Sequence, residues 1–171
     1  AFALKKDYAK AHYYRGATFL EEGRGEDALR EVDLFLAVEP ERADALITRA
    51  RILAQLSRWK DCADAYDVAI QKVAQAVPDY FLARAEAAMR SDPPDPKRAA
   101  RGLREGLEKC GPAITLRLKL VDALAAAKET DEALRVLDLV IDAAPRKETW
   151  LLKRGDVLAA ARIAGIMAAK K

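Results

Sequence analysis

A small residue returns along this chain at nearly constant spacing. Gly16, Ala50, Ala85, Val121 and Gly155 follow one another at intervals of 34, 35, 36 and 34 residues. Downstream lies a second signature, Ala28-x3-Val32-x2-Phe35-x4-Pro40 in the first unit and Ala133-x3-Leu137-x2-Val140-x4-Pro145 in the fourth. A period of this length marks an array in which one supersecondary unit cannot bury its apolar face alone and stacks on the next. With 171 residues, the chain holds four such units and part of a fifth.

The small residues have a physical reason. Two antiparallel helices packed about 8–10 Å apart leave no room for a large side chain where they cross. Gly16, Ala50, Ala85 and Gly155 meet that need on first helices, and Ala28, Cys62, Ala99 and Ala133 on second helices. Val121 departs from the pattern, which predicts a wider crossing in unit four. Unit one begins near Asp7, carries Tyr13, Gly16, Phe19 and Leu20 at helical spacing, turns at Gly23-Arg24-Gly25-Glu26 and closes at Pro40. Unit two has Trp59 at its turn and a second helix about a turn longer, closed late by Pro78. In unit three the turn is enlarged to Ser91-Asp92-Pro93-Pro94-Asp95-Pro96, whose prolines exclude helix. The boundaries read 7–41, 42–77, 78–112, 113–146 and a partial unit 147–162, with 163–171 a tail, all in one domain spanning 1–171.

This period and these motifs resemble the tetratricopeptide repeat, strongly in units one, two and four and more dilutely in unit three. The resemblance implies an all-α fold, a right-handed superhelix (α-solenoid) of antiparallel helix pairs. It also implies that the first helix of each pair lines a concave groove that binds a peptide or protein segment. Carried over by position, that groove presents Tyr13, Tyr14, Leu20 and Glu21, then Ile47, Thr48, Arg51 and Gln55, then Leu82, Glu86, Met89 and Arg90. Leu118, Lys119 and Asp122 follow in unit four, and Leu152, Lys153 and Asp156 in unit five. The mixture of apolar, aromatic and oppositely charged groups suits a protein segment better than a polyanion. Members that grip chaperone tails use a carboxylate clamp containing asparagines. This chain has no Asn, which argues against that use.

Composition narrows the class further. Apolar residues make up 51% and charged residues 33%, as in a folded protein, and Ala and Leu dominate the apolar share. The 30 basic and 27 acidic residues nearly cancel and are interspersed. A nucleic-acid-binding helical repeat would instead want a basic track with base-reading groups in each unit. No apolar run reaches the ~18–20 residues of a membrane span. Cys62 and Cys110 have no metal or redox spacing and are expected as thiols, Cys62 in a helix-crossing slot. The chain begins at Ala1, which we read as a trimmed or mature piece of a longer protein, with cytoplasm slightly favoured and periplasm still open.

Signals of chemistry are weak. Gly23-Arg24-Gly25-Glu26-Asp27-Ala28 matches a dinucleotide-binding pattern on paper, but that chemistry needs a strand before the turn, and here a helix precedes it. His12 is the only histidine, and there is no nucleophile elbow, P-loop or zinc motif. The reading is a non-enzyme without cofactor or metal. Arg15, Arg49, Arg84 and Arg154 each precede a repeat's small residue. We expect their stems to pack between helices while each guanidinium reaches a carboxylate, in preference to an anion-binding ladder. The expected role is a protein-interaction scaffold; the alternatives are a nucleic-acid-binding helical repeat and a self-assembling oligomer. The apolar continuation with Ile163, Ile166 and Met167 lacks a second-helix pattern. It would extend or fold back as an irregular cap, leaving a monomer, or pair two chains as a weak dimer through the C-terminal end.

Overall fold

A computed structural model describes residues 2–143 and 148–169, and the side chains of 8–143 and 149–162. Among the described residues every regular element is an α-helix. They are α1 (Phe2–Glu21), α2 (Gly25–Leu36), α3 (Ala43–Gln55), α4 (Trp59–Lys72), α5 (Pro78–Arg90), α6 (Pro96–Cys110), α7 (Ile114–Ala126), α8 (Thr130–Ala143) and α9 (Glu148–Ala169). Two compact units result, one of Ala1–Ala76 with Glu86–Pro94 and the other of Val77–Ala85 with Asp95–Lys171. Helix α5 contributes to both.

In the first unit, Gly16 of α1 faces Val32 of α2, equally far on the other side of the turn at Arg24, with Ala28 one helical turn nearer, so the helices are antiparallel. A Cβ on Gly16 would lie 2.7 Å from Val32 Cγ2 and 3.2 Å from the Ala28 carbonyl oxygen. The small residue is therefore a steric requirement of the crossing. Around it Ala28, Val32, Ala50, Leu53, Cys62 and Ala69 are fully buried. Each large apolar side chain among them contributes about 1.5–3 kcal/mol on leaving water. In the second unit, Leu103, Leu116, Val121, Leu124, Leu137 and Val140 form the corresponding core. There a Cβ on Gly106 would meet the Phe81 ring at 2.8 Å, and one on Gly102 would meet the Arg84 guanidinium at 2.8 Å.

The turns inside repeats one, two and four share one geometry. Gly23 (φ 77°), Ser57 (φ 57°) and Lys128 (φ 64°) all adopt the left-handed backbone that ends a helix. At each, two amides satisfy the helix's last carbonyls. Arg24 N–H donates to Phe19 O (2.8 Å) and Gly23 N–H to Leu20 O (3.1 Å), and the same pair recurs as Arg58 to Leu53 with Ser57 to Ala54. Glu129 to Leu124 with Lys128 to Ala125 repeats it. This is the two-bond Schellman closure. The sequence shows it only where glycine stands, at Gly23.

The start of each second helix also follows a charge rule. Arg24 pairs with Asp27, and Arg58 with Asp61, at the same repeat positions. In the third repeat the order is reversed: the Asp95 carboxylate caps α6 by accepting from Arg98 N–H at 2.8 Å. In the fourth, both positions are acidic, and Arg104 of α6 bridges Glu129 and Glu132 at 3.4 and 2.9 Å.

Several boundaries differ from the sequence reading. Helix α1 starts at Phe2, five residues before the expected Asp7. Helix α4 has 14 residues against 12 in α2, about half a turn more, and the connection after Lys72 is no longer than the one after Leu36. Pro78 opens α5 and does not close α4, because proline's missing N–H costs nothing in a first helical turn. Gly155 does not serve as a crossing slot: it is exposed, and a Cβ there would meet nothing within 4 Å. The reason is that α9 continues as a single helix of 22 residues through the expected tail to Ala169, so no second helix packs against it among the described residues. Pro145, Lys170 and Lys171 lie outside the described residues, as do the side chains of Ile163, Ile166 and Met167.

Candidate functional site

Taking each repeat's small residue as origin, the position three residues earlier carries Tyr13, Ile47, Leu82, Leu118 and Leu152. One helical turn separates it from the buried slot, so it sits at the edge of the core. Ile47 goes furthest inward, at 5% exposure, and is a core residue with no surface to offer a partner. Tyr13, Leu82 and Leu118 are half-buried, and Leu152 is 73% exposed. The position one residue after the origin points outward, and from unit two onward it carries a charge: Arg51, Glu86, Asp122 and Asp156 are all exposed.

In the first unit these positions bring together two tyrosines and a mixed polar row. Tyr13 packs its ring 5.3 Å from Phe35 of α2, and its hydroxyl lies 3.5 Å from Thr48 Oγ1 of α3. Tyr14 meets Tyr13 edge-on at 5.8 Å and is 67% exposed. Arg51 and Gln55 stand exposed on successive turns of α3, and the Tyr13–Thr48 approach joins their helix to that of the tyrosines. On α5, Glu86 is exposed and ion-paired with Arg90 at 3.1 Å, Met89 is half-buried, and the Arg90 guanidinium lies 4.8 Å above the Trp59 ring. In the second unit, Lys119 and Asp122 are exposed on α7, with Asp122 accepting from Lys153 Nζ of α9 at 2.7 Å.

The arginines preceding the small residues are all engaged with acids. Arg15 reaches Glu31 at 2.6 Å, Arg49 reaches Asp33 at 2.7 Å, Arg84 reaches Glu105 at 2.7 Å and Arg154 reaches Asp138 at 2.9 Å. They staple helices together and form no anion ladder. Arg84 is buried and also donates to the Gly102 carbonyl. Burial pushes the Glu105 carboxyl up, but hydrogen bonds from Lys109 and Arg84 outweigh it and leave the group below the usual carboxylate range.

Sequence reasoning missed Glu31. It sits on the apolar face of α2 beside Val32 and is buried, accepting from Arg15 and lying 2.6 Å from His12 Nδ1. An acid between core positions was the available signal, and its two partners on α1 explain how it tolerates burial. Cys62 fills the expected crossing slot, and burial, with the charge of Glu86, pushes its thiol up to about 11. Neither cysteine is in a disulfide. Among the described residues, no group of three or more His, Cys, Asp or Glu could hold a metal ion, and no helix is long and apolar enough to cross a membrane.

No protein-family model matches the chain, nor does any curated protein. Solved structures do. The crystal structure of MamA matches with a TM-score of 0.74 at 13% identity, over 95% of this chain and 88% of that one. MamA 41-end from Desulfovibrio magneticus RS-1 gives 0.71 at 15%, over 96% and 93%. YrrB, described as a TPR protein with an unusual peptide-binding site, gives 0.70 at 19%, over 93% and 82%. The fold is that of the tetratricopeptide repeat. At these identities the likeness concerns the backbone, and the tetratricopeptide face just described carries this chain's own side chains.

Proposed function

We propose that the chain is a protein-interaction scaffold that holds a peptide or protein segment on the exposed face of its first helices, with no catalytic role. The observation that carries this reading is the Tyr13–Tyr14 pair. An aromatic ring 67% exposed, braced edge-on by a second ring that is itself wedged on Phe35, offers rigid apolar area at little entropic cost. The fold supports the reading, since YrrB shares it and is described as binding peptide. The working residues are Tyr13, Tyr14, Arg51, Gln55, Glu86 and Met89 in the first unit; Leu82, Lys119 and Asp122 are separate candidates of the second unit by itself.

The experiment is a binding comparison on a partner obtained by affinity capture. The double variant Tyr14→Ala/Arg51→Ala should weaken it tenfold or more, on the order of 1.4 kcal/mol. Leu139→Ala, an exposed site on a second helix, should leave it unchanged. Unchanged affinity in the double variant with loss in Leu139→Ala would move the site to the opposite face and end this reading.

A further inference from the structure

Within the first unit, every described arginine except one is held by a carboxylate. Arg15 is taken by Glu31, Arg49 by Asp33, Arg90 by Glu86, and the same holds for those at the helix starts and on α2. Arg51 has no such partner among the described residues, although it is exposed. It also stands in the row of outward positions that is acidic in every later repeat, at Glu86, Asp122 and Asp156. Its neighbour in that row, Glu86, is neutralised by Arg90. On the α1–α3 face Arg51 is thus a cation with no carboxylate partner among the described residues, and Tyr13, which braces Tyr14, reaches Thr48 one turn before it on α3.

We infer that this face accepts an acidic peptide segment, with an Asp or Glu side chain on the Arg51 guanidinium and a neighbouring apolar side chain against Tyr14. This rests on the scaffold reading and specifies its ligand chemistry. A guanidinium donates two parallel N–H bonds to a carboxylate, which fixes direction as well as charge. Gln55, one turn further along α3, supplies an amide that can donate to the peptide backbone. Tyr14 supplies the apolar body of the contact, and in the row of outward positions the neighbouring Glu86 is already held by Arg90. The partner is a protein segment and not a nucleic acid, because a phosphate chain needs a succession of cations and this face offers one.

The test uses the whole chain and a set of synthetic fluorescein-labelled peptides of about twelve residues. Each holds a Glu with a Leu or Phe two positions away, and each is paired with a counterpart in which Gln replaces the Glu. Fluorescence anisotropy should show Glu members binding at least tenfold tighter than their Gln counterparts. In Arg51→Gln that ratio should collapse to within about twofold, in Arg51→Lys part of it should remain, and in Tyr14→Ala both members should weaken together. Circular dichroism melts of the variants, which change exposed side chains, should match the parent. Equal binding of Glu and Gln members would overturn the acidic assignment and leave the scaffold reading standing. A ratio that survives in Arg51→Gln would place the acid elsewhere and overturn it too. If no peptide binds, the peptide-holding reading fails and this inference with it. Displacement of a bound Glu peptide by single-stranded oligouridine at equal concentration would show that the face prefers phosphate.

Discussion

Gly16 and Gly155 occupy the same repeat position, yet their surroundings oppose one another. Alanine is the better helix former by about 1 kcal/mol, so an isolated helix gains from either replacement. At Gly16 the new methyl would lie 2.7 Å from Val32 Cγ2 and press on the α2 backbone, and overpacking of this kind costs about 1–3 kcal/mol. At Gly155 nothing lies within 4 Å. We therefore expect Gly16→Ala to lower the midpoint of chemical denaturation and Gly155→Ala to leave it equal or raise it. A single urea titration of each variant decides this, and a loss at Gly155 as large as at Gly16 would mean that its slot is filled.

At the scale of the element, the helix-ending turns store correctable strain. Ser57 and Lys128 hold a left-handed backbone that costs a side-chain-bearing residue roughly 1 kcal/mol and glycine almost nothing. Gly23 shows the relaxed version of the same turn with the same hydrogen bonds. Lys128→Gly and Ser57→Gly should each stabilise the fold by a few tenths to about 1 kcal/mol, measurable as a rise in Tm. The α5–α6 pairing supplies a pH signature. The Glu105 carboxyl is held below its unfolded value in the folded protein, so its contribution is complete above the unfolded pKa and disappears as pH falls through the folded one. Glu105→Gln should accordingly destabilise at pH 7, leaving the buried Arg84 without its carboxylate, and the difference from the parent should shrink towards pH 3. Denaturation curves at the two pH values check the sign.

For the molecule as a whole, the last two helices of the series are held unequally. Helix α8 buries Ala133, Leu137, Val140 and Ile141 against its neighbours. Helix α9 leaves Leu151, Leu152, Gly155, Asp156, Leu158, Ala159 and Ala160 exposed and is tied back by Lys153 to Asp122 and Arg154 to Asp138. Opening α9 exposes little new apolar surface, so its amides should exchange with solvent at a lower opening free energy than those of α8. Native-state hydrogen exchange should show residues 155–162 losing protection before residues 137–141. Equal protection that rises with protein concentration would instead show a second copy covering this face, the dimer that the apolar C-terminal residues suggested.

The sequence by itself determined the helical class, the repeat and, Gly155 excepted, the residues at the crossings. Those depend on local helix propensity and on spacing within one or two turns, which a repeated pattern of Gly, Ala and Leu records directly. It also determined that Cys62 is a core residue and that the arginine before each small residue serves packing, because Ala28 and Ala133 define the first slot and interspersed acids await the second. Which acid each arginine takes was decided only in three dimensions. Arg15 reaches forward to the second helix of its own pair, whereas Arg49 and Arg154 reach back to the preceding one. The outcome depends on how far each helix is rotated about its axis, which is set by the summed packing of its neighbours. The same rotation buries Ile47 while leaving Tyr13, its counterpart one repeat earlier, half-exposed. The slot at Gly155 is empty because α9 runs on as one helix with no second helix described against it, and Arg51 stands apart from every carboxylate described around it. A candidate surface can be named from the repeat; that Arg51 is left without a carboxylate becomes visible only after the other arginines of its unit have found theirs.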